Sequence, residues 1–370
     1  MTADILVFVE DPGAANMVAA LPAGLARRGL SARFFADGPA IAHLRTHGIA
    51  AEPVDGADAA ALIARTRPRL ILVGTAENPD TLGLRLIAAA GGIPTVGAVD
   101  AAANAGFRFR GRGADPLGFA PDLVLVPDAA AREAFLDLGL PAGRLLVCGH
   151  PHWDGVRAAA AGLAREDRAG LRRRLFPGLR EGRSVLVFAA ERSDGFDAAQ
   201  FRRSGDYTLF GDGLSQGRTE IVVDEVLRAA EPLRHRLHLV LRLHPKSEAG
   251  DLGPWRAGFD QVSQGGRSLD LLHACDAVIG MTTMLLAEAA LLGRPTLSVL
   301  PRPAERAWLP TLAAGLAPFV TSRETLAGAL RTLVEDPWPP SATALEALFP
   351  PGAADRVCDA LAAMLEGRPR

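Results

Sequence analysis

Lysine is almost absent from this 370-residue chain: Lys246 is the only one, although lysine and arginine together number 40. Arginine carries the positive charge evenly through helices and loops, a bias of composition rather than the mark of one site. Acidic residues number 42 and the formal net charge is −2. So balanced a chain has no general affinity for nucleic acid or an anionic membrane, and any basic site must be local. Cysteine is scarce too. Cys148, Cys275 and Cys358 stand far apart in apolar surroundings, without CxxC or Cys/His spacing. Buried free thiols are expected, not a disulfide or a metal site. No apolar run reaches the roughly 18 residues of a membrane span. The first strand begins almost at once, with no basic region and signal core before it, so a cytoplasmic location is expected.

What is present is a regular alternation. Hydrophobic residues make up 49% of the chain and charged residues 22%, as in an ordinary soluble globular protein, and the length favours two domains. The runs DILVFV, ARFFA, RLILVG, PTVGAV, DLVLVP and RLLVCG are separated by helical segments. Short apolar strands between helices imply a parallel sheet covered on both faces. After the polar and aromatic turn GHPHWDGV and an Ala/Arg-rich helix over Gly155 to Leu175, the alternation restarts with SVLVFAA, HLVLRLH, DAVIG and PTLSVL. The expected architecture is α/β, with two Rossmann-like doubly wound domains. Residues 1–152 form the first, 153–350 the second, and 351–370 an amphipathic helix that packs back towards the first. Residues Ser193 to Arg218 are too rich in Gly, Asp and Ser for a core element. They read as a disordered stretch or a lid.

In open α/β sheets, ligands bind beyond the carboxyl ends of the strands, so polar residues there are the candidates. The first strand ends in VEDPGAANM. It places Glu10, Asp11, Pro12 and Gly13 ahead of a helix expected over Ala14 to Arg28. A connecting loop with an acidic cap and the rim of a cleft both fit this stretch. Glu77 and Asn78 follow the RLILVG strand, and Asp100 follows PTVGAV. The stretch after it holds Asn104 and a Gly-rich loop with Arg108, Arg110 and Arg112. In GHPHWD the paired histidines lack a third ligand, so no metal is expected, and His150 or Gly149 is read as facing a cleft at a hinge.

In the second half, RLHPKSE delivers Arg242, His244 and Lys246 at a strand end, a cation cluster suited to phosphate or to protonating a leaving group. In DAVIGMTTMLLAEAALLGRP a strand stops at Gly280, and Thr282 and Thr283 open a helix whose free N–H groups favour an anion. Gly280 is read as allowing another group close to the backbone. Glu288 is the only charge in an otherwise apolar helix. Buried, it needs a donor, either sugar hydroxyls or an arginine such as Arg294. At about 100° per residue Glu288 lies about 140° around the helix from Thr283, so one ligand meets both only across the first turns.

These motifs resemble those of GT-B-fold glycosyltransferases, over nearly the whole chain. GHPHWD looks like the Gly-x-Pro-x-x-Asp joint of that fold, and the His-Pro and Ser/Thr motifs are similar to those of capsule, teichoic-acid and polysialyltransferase-like enzymes. The last motif also resembles non-hydrolysing UDP-N-acetylglucosamine 2-epimerases. Those usually carry Asp-Ser-Gly-Gly with paired glutamates, where this chain has GMTTMLLAEA. The resemblance implies two domains facing across a cleft and a metal-independent, cofactor-free transferase that takes a UDP- or CMP-linked sugar as substrate. The acceptor would be a glycan or glycoconjugate in surface polysaccharide synthesis. It implies that His244, Thr282 and Thr283 hold donor phosphates, that Glu288 holds the ribose, and that His244 assists departure of the leaving group. Asp11 becomes the candidate general base, while Glu10, Gly13, Glu77, Asp100, Asn104, Arg108 and His150 line the acceptor side. A nucleotide-sugar epimerase or hydrolase and a non-catalytic nucleotide-sugar-binding protein are the alternatives. No nucleic-acid partner is implied, whereas peripheral membrane contact and a homodimer are left open.

Overall fold

In the computed structural model of the chain, residues 3–54, 56, 58–76, 78–102, 104–192, 201–245, 247, 250 and 253–367 are described. Glu77, Lys246 and residues 193–200 of the Gly/Asp/Ser-rich stretch lie outside them. The chain divides into two compact units, residues 1–155 with 349–370, and residues 156–348.

The first unit is built on a seven-stranded sheet ordered β3-β2-β1-β4-β5-β6-β7. Its strands are β1 Ile5–Val9, β2 Ala32–Ala36, β3 Glu52–Pro53, β4 Leu70–Gly74, β5 Thr95–Ala98, β6 Leu123–Val126 and β7 Leu145–Val147. All neighbours pair in parallel. Strand alternation sends Ile5, Val7 and Val9 into one core and Leu6 and Phe8 into another on the opposite face. A doubly covered sheet needs apolar residues at every position, which is why β1 reads as an unbroken apolar run.

The helix expected over Ala14 to Arg28 is two helices, Pro12–Val18 and Leu21–Arg27. Pro22 lacks an N–H, and its ring displaces the carbonyl of Val18 four residues back, so a continuous helix cannot form. The helix Ala353–Leu365 lies on Leu21–Arg27 and gives Val357, Cys358 and Leu361 to the core under β1. A Cβ at Gly24 would come 2.7 Å from the Cys358 sulfur, so the approach depends on that glycine. Arg27 pairs with Asp355 at 2.8 Å and Arg28 with Asp359 at 2.7 Å along the same seam.

The second unit carries a six-stranded parallel sheet ordered β10-β9-β8-β11-β12-β13. The strands are β8 Ser184–Ala189, β9 Leu237–Arg242, β10 Gln261–Ser263, β11 Ala277–Gly280, β12 Thr296–Val299 and β13 Phe319–Val320. Each sheet repeats the Rossmann order 3-2-1-4-5-6, which leaves a switch point between β1 and β4 and another between β8 and β11. The helix expected over Gly155 to Leu175 is also divided, into His152–Leu163 and Arg168–Leu175. The described part of the Ser193–Arg218 stretch is anchored. Tyr207 and Leu209 are buried, Thr208 N–H donates to Pro301 O at 2.7 Å, and Arg218 opens the helix Arg218–Ala230. The three cysteines are free and buried. No helix among the described residues is long and apolar enough to cross a membrane.

Candidate functional site

At the first switch point, Glu10 leaves β1 and accepts a hydrogen bond from Asn78 Nδ2 at 2.7 Å beyond β4. Asp11 occupies the N-cap position of Pro12–Val18 in extended geometry, with no side-chain capping bond to the helix. Capping alone therefore does not account for its carboxylate. Asp100, two residues past β5, forms an ion pair with Arg108 Nη2 at 3.1 Å. Asn104 turns the chain through the left-handed region at φ +59, and the short helix Ala105–Arg108 then brings Arg108 back to Asp100. Gly13 completes the cluster: a Cβ there would overlap Asp100 Oδ2 and lie 3.1 Å from its Cγ. The arginines of this Gly-rich loop do not form one basic patch. Arg108 is buried against Asp100, Arg110 stacks on Phe107 at 4.4 Å, and Arg112 pairs with Asp80 at the surface. An open cavity of about 530 Å³, lined by Pro79, Leu84, Arg85, Gly111 and Phe119, adjoins that last pair.

His150 is buried among aromatic rings, 6.1 Å from Trp153, and its Nδ1 accepts the His152 N–H at 3.2 Å. Burial, reinforced by His152, pushes its pKa down to about 3, so it stays neutral. The motif around it anchors the helix Ala353–Leu365. Asp154 accepts the Gly352 and Ala354 N–H groups at 2.8 Å each, and Arg356 donates to Cys148 O at 2.8 Å. No group of three or more His, Cys, Asp or Glu side chains suited to a metal ion occurs among the described residues.

At the carboxyl end of the second sheet, Arg242 turns sideways. Its guanidinium donates to Ser263 Oγ at 3.0 Å and to the carbonyls of Gly265 and Gly266. Burial pulls its pKa down against the opposing charge of Glu288. Arg242 thus supports the loop after β10 through its Nη donors and balances Glu288. Arg294 lies elsewhere, beside Arg168 and Asp276. His244 is half-buried just past β9. Gly280 is hemmed in by the turn itself, because a Cβ would stand 3.0 Å from the Thr283 methyl and 3.4 Å from Ala189 O. Its small size thus serves local packing. Thr283 caps the helix Met284–Leu291 through Leu285 N–H at 3.3 Å, and Glu288 is buried within that helix.

Sequence reasoning missed the group around Thr282. Glu191, just past β8, accepts the Thr282 N–H at 2.6 Å and its hydroxyl at 3.0 Å. Arg218 donates to Glu191 Oε2 at 2.7 Å, to Thr282 Oγ1 at 3.1 Å and to Glu305 Oε2 at 2.8 Å. Arg302 joins Glu305 at 2.9 Å, and both guanidiniums lie 5.3 Å from the Trp308 ring. Burial drives the Arg218 pKa down, but Glu191 and Glu305 more than offset this and leave it raised. The Tyr207 hydroxyl beside them is pushed up to about 12 by burial. No signal in the sequence marked this group: only the structure shows that Arg218, at the head of its helix, is 1% exposed, a costly place for a charge without partners.

No protein-family model and no curated protein matches the sequence. Solved structures match the whole chain. The UDP-GlcNAc 2-epimerase from Neisseria meningitidis bound to UDP-GlcNAc is 14% identical, with 98% of each chain covered and a TM-score of 0.65. The Methanocaldococcus jannaschii UDP-GlcNAc 2-epimerase with UDP-GlcNAc and UDP is 11% identical, with 97% of this chain and 99% of that one covered and a TM-score of 0.66. The wall teichoic acid polymerase TagF is 13% identical over 98% of this chain and 89% of that one, with a TM-score of 0.57. The fold is GT-B-like, two α/β units each with a parallel Rossmann-ordered sheet.

Proposed function

We propose that this chain is a metal-independent glycosyltransferase that binds a UDP- or CMP-linked sugar in the unit formed by residues 156–348. Its acceptor is a hydroxyl of a glycan or glycoconjugate in surface polysaccharide synthesis. The observation that carries the reading is the turn at the second switch point. There the helix Met284–Leu291 begins at the carboxyl end of β11, with Glu288 buried in it, and His244 follows β9, on the far side of β8. The first N–H groups of a helix have no intrahelical acceptor and carry the positive end of its dipole, so they suit a donor's phosphates. Glu288 then accepts from ribose hydroxyls, and His244 balances charge as the leaving group departs.

Asp11 is the general base of this proposal. It stands at the other switch point, in extended geometry at the N-cap position of Pro12–Val18, and its side chain does not cap that helix. Asp11→Asn is therefore expected to lower acceptor-dependent turnover by about 10²–10⁴ while nucleotide binding and melting temperature hold, because the amide cannot accept the proton. Near-normal turnover would remove Asp11 from the chemistry.

A second reading, a nucleotide-sugar 2-epimerase, is supported by the near-complete overlap with epimerase chains. Against it stands the turn sequence GMTTMLLAEA, which has one glutamate and no paired glycines. Incubating the protein with UDP-GlcNAc alone separates the two. An epimerase changes the sugar without an acceptor, whereas a transferase releases no new sugar isomer.

A further inference from the structure

The second switch point holds four charged side chains from three segments of chain: Glu191 after β8, Arg218 at the head of its helix, and Arg302 with Glu305 after β12. Two cations and two anions cancel, so the group adds no net attraction for a phosphate. Arg218 is 1% exposed and Glu305 0% exposed, which keeps both away from any ligand. Buried ion pairs are weak contributors to stability, since apolar groups of similar volume often serve as well. What this group provides is geometry. Glu191 is 16% exposed, and its two oxygens grip the main chain and the hydroxyl of Thr282, while Arg218 holds the same carboxylate and the same hydroxyl. Thr282 immediately precedes the capping residue Thr283. Fixing Thr282 therefore fixes the direction of the first N–H groups of the helix.

We infer that Glu191 is a positioning residue of the donor site, acting through Thr282, with Arg218 as the clamp that holds its carboxylate in place. The inference rests on the donor site proposed above and concerns how that site is aimed. Thr282 N–H is already satisfied by Glu191, so the donors left for a phosphate are those of Thr283 and Met284, which precede the first intrahelical bond. A glutamine at position 191 has one acceptor oxygen, and its amide N–H₂ opposes either the Thr282 N–H or the Arg218 guanidinium. The turn then loses its fixed orientation.

The test is a double-mutant cycle in the full chain, read by calorimetric titration with UDP, CMP, CDP and GDP alongside melting temperature. Glu191→Gln and Thr282→Val are each expected to weaken binding of the preferred nucleotide about tenfold or more, and the double variant to be no weaker than either single, because coupled residues are not additive. Glu191→Asp, which keeps two acceptor oxygens, recovers part of the loss. Unchanged or tighter binding by Glu191→Gln, or losses that multiply in the double variant, overturns the inference and leaves the donor site standing. If the parent chain binds none of the four nucleotides, the donor site falls and the inference with it. Should Glu191→Gln fail to fold, Thr282→Val decides alone: binding equal to that of the parent chain overturns the positioning role.

Discussion

Gly13 and Asp100 show how much one missing side chain can fix. Gly13 does not need a left-handed backbone; it leaves the space that the Asp100 carboxylate fills. Gly13→Ala must push Asp100 aside and strain its pair with the buried Arg108. Overpacking of this kind typically costs about 1–3 kcal/mol. That loss is expected in urea unfolding, together with reduced acceptor-dependent turnover. Unaltered stability and turnover would mean that Asp100 moves freely and that the glycine is only part of a turn. At this scale the sequence was unevenly informative. Glu288 stood out because it is the only charge in an apolar helix. Glu191, Arg218, Glu305 and Arg302 look like ordinary solvated residues, and Arg218 and Glu305 are 87 positions apart. Nothing in a chain of letters says which distant carboxylate a given arginine will meet.

Among the elements, the helix Ala353–Leu365 depends on a cap that its own sequence does not supply. Gly352 at its N-cap has no side chain, and Asp154 provides both oxygens from 198 positions earlier in the chain. Losing a capping carboxylate costs about 0.5–2 kcal/mol. Asp154→Ala is therefore expected to fray the first turn and to speed proteolytic cleavage near Gly352, while the sheet's circular dichroism is kept. Cleavage at the parent rate would show that the packing of Cys358 against Gly24 holds the helix unaided. The central strands were legible because a doubly covered sheet demands unbroken apolar runs. The edge strands β3, β10 and β13 were not: at two or three residues, with Pro53, Gln261 and Ser263 among them, they carry no pattern. Pro22 was the one letter that could have divided the first long helix correctly.

For the molecule as a whole, one buried histidine, His150, and one half-buried histidine, His43, couple stability to pH. Burial lowers His150 to about 3, and burial with His47 and His152 lowers His43 to about 4. An unfolded histidine takes up its proton near pH 6.5, so from there down to about pH 4 the unfolded chain binds protons that the folded one refuses. Stability is thus full above about pH 6.5 and falls as pH drops, by at most about 1.4 kcal/mol per pH unit for each histidine. His150→Asn, which keeps an acceptor for the His152 N–H, is expected to flatten urea-unfolding stability between pH 6.5 and 4.5. An unchanged slope would assign the acid sensitivity to other groups.

The division of the chain also sets a timetable for its synthesis. Residues 156–348 are translated between the two parts of the other unit, whose core under β1 includes Val357, Cys358 and Leu361. While the ribosome makes that middle stretch, Leu21, Leu25 and their neighbours wait with one apolar face uncovered. The intervening unit has all of its own strands and can fold meanwhile. The core of the first unit is therefore complete only once that late helix has been made and docked.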